Sequence, residues 1–461
     1  MGQELIDAKA GTGNLEAGQS GECLLSPPLP PGIELELPAK AKGAGGGHVG
    51  GDGEGDPKGR WTQLTVLMAG MLMGMATWFS AAAVLPRLKD AYGIGETTGA
   101  FLTIAVQIGF VVGSFLSALF NLPDVLPVRL VFAMGACGAA AANGALLHDD
   151  LGFEGAVVSR ALTGMFLAGV YPSAMKASST WFRQGRGFAM GVLVGMLTLG
   201  SGIPFLLKAL GANDHKVVLW GTSAATVFGG IFVGVLFKSG PLATKSVKFD
   251  IRVLPLILKD KSTLLGIGGY FGHMWELYGL WTWYNDFAED LLVNVHNKGT
   301  EEDVPSSAAW LTTTLMVAGF AGCVVGGRVA DKWGRTRWAA LCMVISGTCS
   351  LAIGPARPHL PLVVLLTIIW GAFVVADSAQ FSAIVSEVCY QDYMGTALTV
   401  QIASGFSLTI LTIFLIPYLM DQGVTYRWAL SILSVGPFLG VVAMVALLKS
   451  DGHLKIAGGR G

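Results

Sequence analysis

Charge is what this sequence has least of. Asp, Glu, Lys and Arg make up 13% of its 461 residues, where a soluble globule carries roughly a quarter, and that deficit excludes an ordinary soluble fold. The net charge is −1, and no dense Lys/Arg stripe with interleaved aromatics appears, so nucleic acid is not an expected partner. Cysteine is scarce too, at six, and Cys137, Cys323, Cys342 and Cys349 fall inside apolar runs, where a thiol behaves as a small hydrophobe. No disulfide framework is implied. The seven histidines form no i, i+4 pair and no His-Cys cluster, so no metal site follows. There is no P-loop, and the glycine string 266–272 opens an apolar helix instead of a strand-to-helix phosphate turn. No cofactor, no ATP-driven pump and no enzyme activity are therefore expected.

What the sequence does have is apolar length. Hydrophobic residues make up 52% and mean hydropathy is +0.59, much of it in runs of about 20 residues, the length that crosses a bilayer as a helix. Twelve spans are predicted, near 61–85, 98–122, 128–147, 153–174, 187–208, 217–237, 263–285, 308–328, 338–355, 361–386, 394–419 and 427–448. Six fall on each side of a polar stretch, 238–262, which holds Lys238, Lys245, Lys248, Arg252, Lys259 and Lys261. The expected organisation is a tail over 1–60, a bundle over 61–237, a central loop over 238–262, a second bundle over 263–449 and a short tail over 450–461. The first tail, with Leu25-Ser-Pro-Pro-Leu-Pro-Pro-Gly32 and the glycine run from Gly43, buries too little apolar surface to offset chain entropy, so it is expected to be disordered. It lacks the order of a secretory signal or a transit peptide, and Ile6 breaks the myristoylation pattern after Gly2.

Lys and Arg set the expected orientation. The even-numbered loops hold fourteen, among them Arg129, Lys176, Arg183, Arg186, Arg328 and Lys332; the odd-numbered loops hold seven. The loop after span seven carries Asp286, Glu289, Asp290, Glu301, Glu302 and Asp303, which suits the opposite face. Both termini are expected in the cytosol, with the plasma membrane as the first expectation and an organelle membrane as the alternative.

The most specific string is Gly327-Arg-Val-Ala-Asp331-Lys-Trp-Gly334-Arg335-Thr-Arg337, between spans eight and nine. A carboxylate at a helix end, a tight glycine turn and a basic cluster can pair across helices in one conformation and release in another. The plainer alternative is a charged loop obeying the positive-inside rule. With this spacing at this place, the chain resembles the major facilitator superfamily of secondary transporters. The resemblance covers about 61–449 and implies a fold of twelve transmembrane helices in two six-helix bundles, an all-α membrane protein built of inverted repeats, with a small solute bound at mid-membrane between the bundles. The family's loop string recurs degraded between spans two and three, as Ser117-Ala-Leu-Phe-Asn121-Leu-Pro-Asp124-Val-Leu-Pro-Val-Arg129, where Asp124 and Arg129 stand as latch residues. Arg160-Ala-Leu-Thr-Gly164 in span four is similar to the family element linked to proton coupling. Arg160 is accordingly expected either to offer a positive counter-charge or to tie down backbone carbonyls. The glycines of span five, Gly187, Gly191 and Gly195 with Pro204, permit close helix contact. Trp78-Phe-Ser-Ala-Ala-Ala-Val-Leu-Pro86, Gly169-Val-Tyr-Pro172 and Gly269-Tyr-Phe-Gly-His-Met-Trp-Glu-Leu-Tyr278 resemble a bacterial-type subgroup without an assigned substrate.

Ionisable groups at membrane depth are the sharpest chemical clue. His273 and Glu276 are three apart and share a helical face, among Tyr270, Trp275, Tyr278, Trp281, Trp283 and Tyr284. A carboxyl there can exchange a proton as a cavity opens to alternate sides, or serve as a static tie between helices. In span ten, Asp377, Gln380 and Phe381 fall at offsets of three and four, a face expected to look into the same cavity. Trp78, Gln107, Tyr171, Tyr270, Phe381 and Gln401 are further cavity candidates, while Trp281 and Trp283 are expected in an interface belt. The expected protein is a monomeric, proton-coupled secondary transporter of a small polar or anionic solute, with Arg160, His273, Glu276, Asp377 and Gln380 as the residues that bind the solute or couple to protons. An exporter of hydrophobic compounds, or a sensor on a transporter scaffold, are the alternatives.

Overall fold

The computed structural model describes residues 57–182, 185–212, 214–243, 249–296 and 304–459. Most of the expected tail (1–56), Arg183, Lys245, Lys248, Lys298, Glu301, Glu302 and Asp303 lie outside the described residues. Among the described residues the secondary structure is helical, without strands. Ten helices are long and apolar enough to cross a membrane: α2 (Glu96–Leu119), α3 (Val128–Leu147), α4 (Gly152–Ser179), α5 (Arg186–Ala209), α6 (His215–Leu236), α8 (Val304–Trp333), α9 (Arg335–Ala356), α10 (Leu360–Val388), α11 (Gln391–Asp421) and α12 (Tyr426–Leu448). Two more complete the set. α1 begins as Arg60–Gly74 and continues through the turns Ser80–Ala83 and Leu85–Tyr92. α7 (Lys261–Asp290) is long enough but carries many polar and aromatic residues.

The same helix pairings recur in both halves. α1 packs on α5 and α6 as α7 packs on α11 and α12; α4 packs on α2 and α3 as α10 packs on α8 and α9; and α3 meets α6 as α9 meets α12. The halves join through α5 with α8 and α2 with α11. Lipid tails are as apolar as leucine, so close packing substitutes for a hydrophobic drive between these helices. Glycine supplies it at corresponding places: a Cβ on Gly164 would lie 2.0 Å from the Val106 carbonyl oxygen between α4 and α2, and one on Gly371 would lie 2.3 Å from that of Leu315 between α10 and α8.

The expected central loop and the expected terminal tail both contain helical turns. In the central stretch, Ile251–Val253 and Leu254–Ile257 form helical turns, and Val253 and Ile257 pack with Ile267, Val385 and Ala397 at the ends of α7, α10 and α11. The terminal segment Asp451–Gly458 forms helical turns with a kink at Ile456 and Ala457. It docks by burying Ile456 and by donating the Ala457 N–H to Glu387 Oε2, 2.8 Å away. A run of alternating apolar and charged residues finds apolar cover there that a hydropathy count does not reveal.

Candidate functional site

Three breaks in the helices shape the interior. In α4 the helical segments Gly152–Leu167 and Tyr171–Ser179 flank a turn, because Pro172 lacks an N–H and its ring excludes the carbonyl four residues earlier. In α10 the break falls at Asp377, between Leu360–Ala376 and Ser378–Val388. The third follows Gly74 in α1, and Arg160 closes it. Its guanidinium donates to the carbonyls of Thr77 (3.0 Å), Trp78 and Leu102 (3.3 Å), and to Ser80 Oγ and Asn143 Oδ1. Backbone freed inside a membrane needs such partners. Arg160 is wholly buried, so its donors serve the amino-terminal bundle and do not reach a cavity between the bundles.

A central cavity of about 30 Å³ lies between the halves, walled by Tyr171, Tyr270, Tyr278, Trp281, Ser378 and Phe406 among others. Among the described residues it is lined by no Asp, Glu, Lys, Arg or His. Its volume admits water but not a metabolite. Two larger lobes, of about 460 and 470 Å³, adjoin it on the face of the basic loops. They share Pro172, Lys176, Ser179, Arg186, Met394 and Leu398, so they form one vestibule between the bundles. Tyr171, Ser382 and Ile402 line both vestibule and central cavity.

The opposite face is shut. Trp78, Phe110, Phe406 and Tyr278 form a continuous aromatic plug, with ring centroids 4.9 Å (Trp78–Phe110), 4.4 Å (Phe110–Phe406) and 5.1 Å (Tyr278–Phe406) apart. Beyond it, Lys208 of α5 pairs with Glu289 of α7 at 2.7 Å. Ser306 donates to the Ala209 carbonyl at 2.7 Å, and Thr97 of α2 hydrogen-bonds Asp421 of α11. A separate cavity of about 510 Å³ sits at this face, lined by Arg87, Asp90, Lys208, His215 and Glu289.

The ionisable groups of α7 and α10 lie elsewhere than expected. The cavity face of α7 carries Tyr270, Met274, Leu277 and Trp281; at 100° per residue Glu276 falls roughly 140° around the helix from it. There it accepts hydrogen bonds from Ser346 Oγ (2.7 Å) and Trp370 Nε1 (2.8 Å), within the carboxy-terminal bundle. His273 Nδ1 lies 2.9 Å from Asp377 Oδ1, and its ring packs against Phe381. The three ionisable groups are buried and line none of the cavities described above. Gln380 does line the vestibule and accepts from Arg335 Nη1 at 3.0 Å. Gln107 and Gln401 are wholly buried, and their amide atoms find no hydrogen-bond partner among the described residues. Trp281 and Trp283 are buried inside the protein, which corrects the interface belt: Trp283 donates to the Ile413 carbonyl, and Trp281 lines the central cavity. Sequence reasoning missed Ser378 and Ser382 as cavity lining; their period along α10 was the available signal.

The loop string spans the halves at the basic face. The Asp331 carboxylate lies so close to Gly187, the second residue of α5, that a Cβ there would sit 2.6 Å from Oδ2. Gly327 closely approaches Gly187, and the Arg328 guanidinium lies 4.1 Å over the Phe188 ring. Arg335 contacts Asp331 (3.3 Å) and Glu387 (3.2 Å) within its own half. Gly334, at φ +111°, makes the turn into α9. In the degraded copy Asp124 pairs with Lys176 of α4, in the same half, and Arg129 is exposed.

Paired bundles enclosing a cavity that opens on one face define a multi-pass membrane carrier of a small-molecule solute. The family model of the major facilitator superfamily matches residues 66–293, just under half of the chain. It is 21% identical to the hexuronate transporter of Escherichia coli (strain K12), over 86% of this chain and 96% of that protein. Shorter matches are to the galacturonate transporter of Dickeya chrysanthemi (26% identity, 36% of this chain, 49% of that protein) and the lincomycin resistance protein of Streptomyces lincolnensis (31% identity, 31% of this chain, 29% of that protein). Two of these relatives are transporters by name and the third is a resistance protein, and this chain too is a transporter.

Proposed function

We propose that this carrier moves a small anionic solute by alternating access, coupled to protons. The observation that carries the reading is the asymmetry of the interface. A vestibule opens between the bundles at the basic face, a central cavity lies beyond it, and ion pairs with an aromatic plug shut the other side. Rocking of the bundles about that cavity would exchange the two faces. The named cargoes of two relatives, hexuronate and galacturonate, are sugar acids, which supports an anionic cargo. The positive-inside rule supports a cytosolic basic face and, with it, cytosolic termini, and a monomer in the plasma membrane suffices for the mechanism.

The proton role falls to His273 and Asp377. Asp377 sits at the break in α10, next to Ser378 of the cavity wall, and faces α7 through His273. Movement at that break alters the pair, whereas Glu276 is held by two donors of its own bundle. The latch acts through Asp331, whose carboxylate meets the positive end of α5 across the interface, with Gly327, Gly334 and Arg335 shaping its loop and Asp124 and Arg129 confined to the degraded copy.

In proteoliposomes bearing an imposed pH gradient, Asp377→Asn should abolish gradient-driven accumulation of D-galacturonate while retaining counterflow exchange. Glu276→Gln should retain both. Wild-type accumulation by Asp377→Asn removes the pair from coupling, and wild-type protein that exchanges no sugar acid removes the anionic cargo. A second reading, export of hydrophobic compounds, draws on the uncharged aromatic wall of the central cavity; drug sensitivity of a deletion strain separates it from uptake.

A further inference from the structure

We propose that the carboxylate of the cargo is held by the amino-terminal ends of two half-helices, one from each bundle, with an indole N–H beside them, and not by a charged side chain. The inference rests on the anionic cargo proposed above. α4 and α10 hold corresponding places in the two halves, and both are interrupted in mid-span. Each second segment, Tyr171–Ser179 or Ser378–Val388, begins at the central cavity, because its first residue, Tyr171 or Ser378, lines the wall. A helix amino terminus presents unpaired backbone N–H groups and about half a positive charge. Such partial charges are strong where little water screens them. Interrupted segments at matching positions in two repeats are the arrangement by which broken helices aim their positive ends at an anionic group.

An independent feature of the same wall points to a ligand. Trp281 is wholly buried, lines this cavity, and its Nε1 has no hydrogen-bond partner among the described residues. Its neighbours on α7 differ: Trp275 and Trp283 each donate to a carbonyl, of Ile432 and Ile413. A buried indole N–H normally finds an acceptor, and a carboxylate oxygen supplies one.

The side-chain charges nearby leave this role open. Arg160 is engaged by five acceptors of its own bundle, and Asp377, at the α10 break, is opposed by His273 at 2.9 Å. Ser382, one turn beyond Ser378, lines both cavity and vestibule, so the acid group is reached from the basic face. Tyr278 and Phe406 offer aromatic surface to the rest of the solute. The ligand class is an organic monoacid with a ring or hydroxylated body, which the central cavity, about 30 Å³ in this conformation, admits only by widening.

The test uses full-length protein in proteoliposomes, with D-galacturonate and D-glucuronate as exchanged probes and D-galactose as the uncharged competitor. Trp281→Phe keeps the ring and removes the donor. Ser378→Asp puts a negative charge at the first turn of a half-helix, where it favours the helix itself and opposes a bound anion. Each variant, monodisperse in detergent, should raise the half-saturating acid concentration about tenfold or more, with competition by galactose remaining weaker than by the acids in the wild type. Unchanged half-saturation in folded Ser378→Asp overturns the half-helix site while leaving an anionic cargo standing. Galactose competing as well as the acids in the wild type overturns it too. Wild-type protein that exchanges neither acid overturns the cargo reading and the site with it.

Discussion

Arg160 illustrates how one residue type serves opposite purposes. An arginine at membrane depth reads as a functional charge, and the family resemblance pointed the same way, yet its donors close the backbone break of α1. Which carbonyls lie within its reach depends on where α1 stops being helical, and no local pattern states that. Arg160→Lys retains the charge but offers three donors where the guanidinium offers five. Leaving buried carbonyls unserved costs roughly 1–3 kcal/mol each, so this variant should lose about 2–6 kcal/mol. It should denature at lower temperature in detergent even when the pH gradient is absent. A variant that melts like wild type but loses only coupling would return Arg160 to a proton role.

At the scale of the helix, periodicity was legible and direction was not. The spacing of His273 and Glu276 puts them three residues apart on α7, but the face with Tyr270, Met274, Leu277 and Trp281 is the one that meets the other bundle. α4 and α10 differ in the same way: Pro172 announces the first break, while nothing between Ala376 and Ser378 announces the second. Glycine contacts are the other property of this scale. Gly164→Ala would drive a Cβ to 2.0 Å from the Val106 carbonyl oxygen, forcing α4 from α2 at about 1–3 kcal/mol. Gly144→Ala meets nothing within 4 Å at a helical φ of −64°, and should stabilise by about 0.5–1 kcal/mol. Thermal unfolding of both in one detergent checks the pair; equal midpoints would show that the α2–α4 contact yields freely.

For the whole molecule, the proposed alternation makes the balance between faces depend on a few contacts across the interface. The closed side joins the bundles through Lys208–Glu289, Ser306 with Ala209, and Thr97 with Asp421; the basic side joins them through Asp331 at Gly187. A ligand or substitution moves such an equilibrium only by its difference between the two states. Glu289→Gln removes a charge pair present in this conformation, so the population should shift toward opening on that face. A cysteine placed at Leu277 should then react faster with an impermeant maleimide added from that side, by about threefold to tenfold for a contact of about 1 kcal/mol. An unchanged labelling rate would assign closure to the aromatic plug alone.

Membrane residence and the number and approximate limits of the spans follow from composition and spacing, because hydrocarbon thickness and backbone satisfaction constrain any chain in the same way. The rest came from long-range packing. That Glu276 turns to Ser346 and Trp370, that Asp124 pairs with Lys176, and that an uncharged wall occupies the centre all depend on residues 50 or more positions away. A helix carries its own period in its sequence, but which side of it becomes interior is settled by the neighbours it meets.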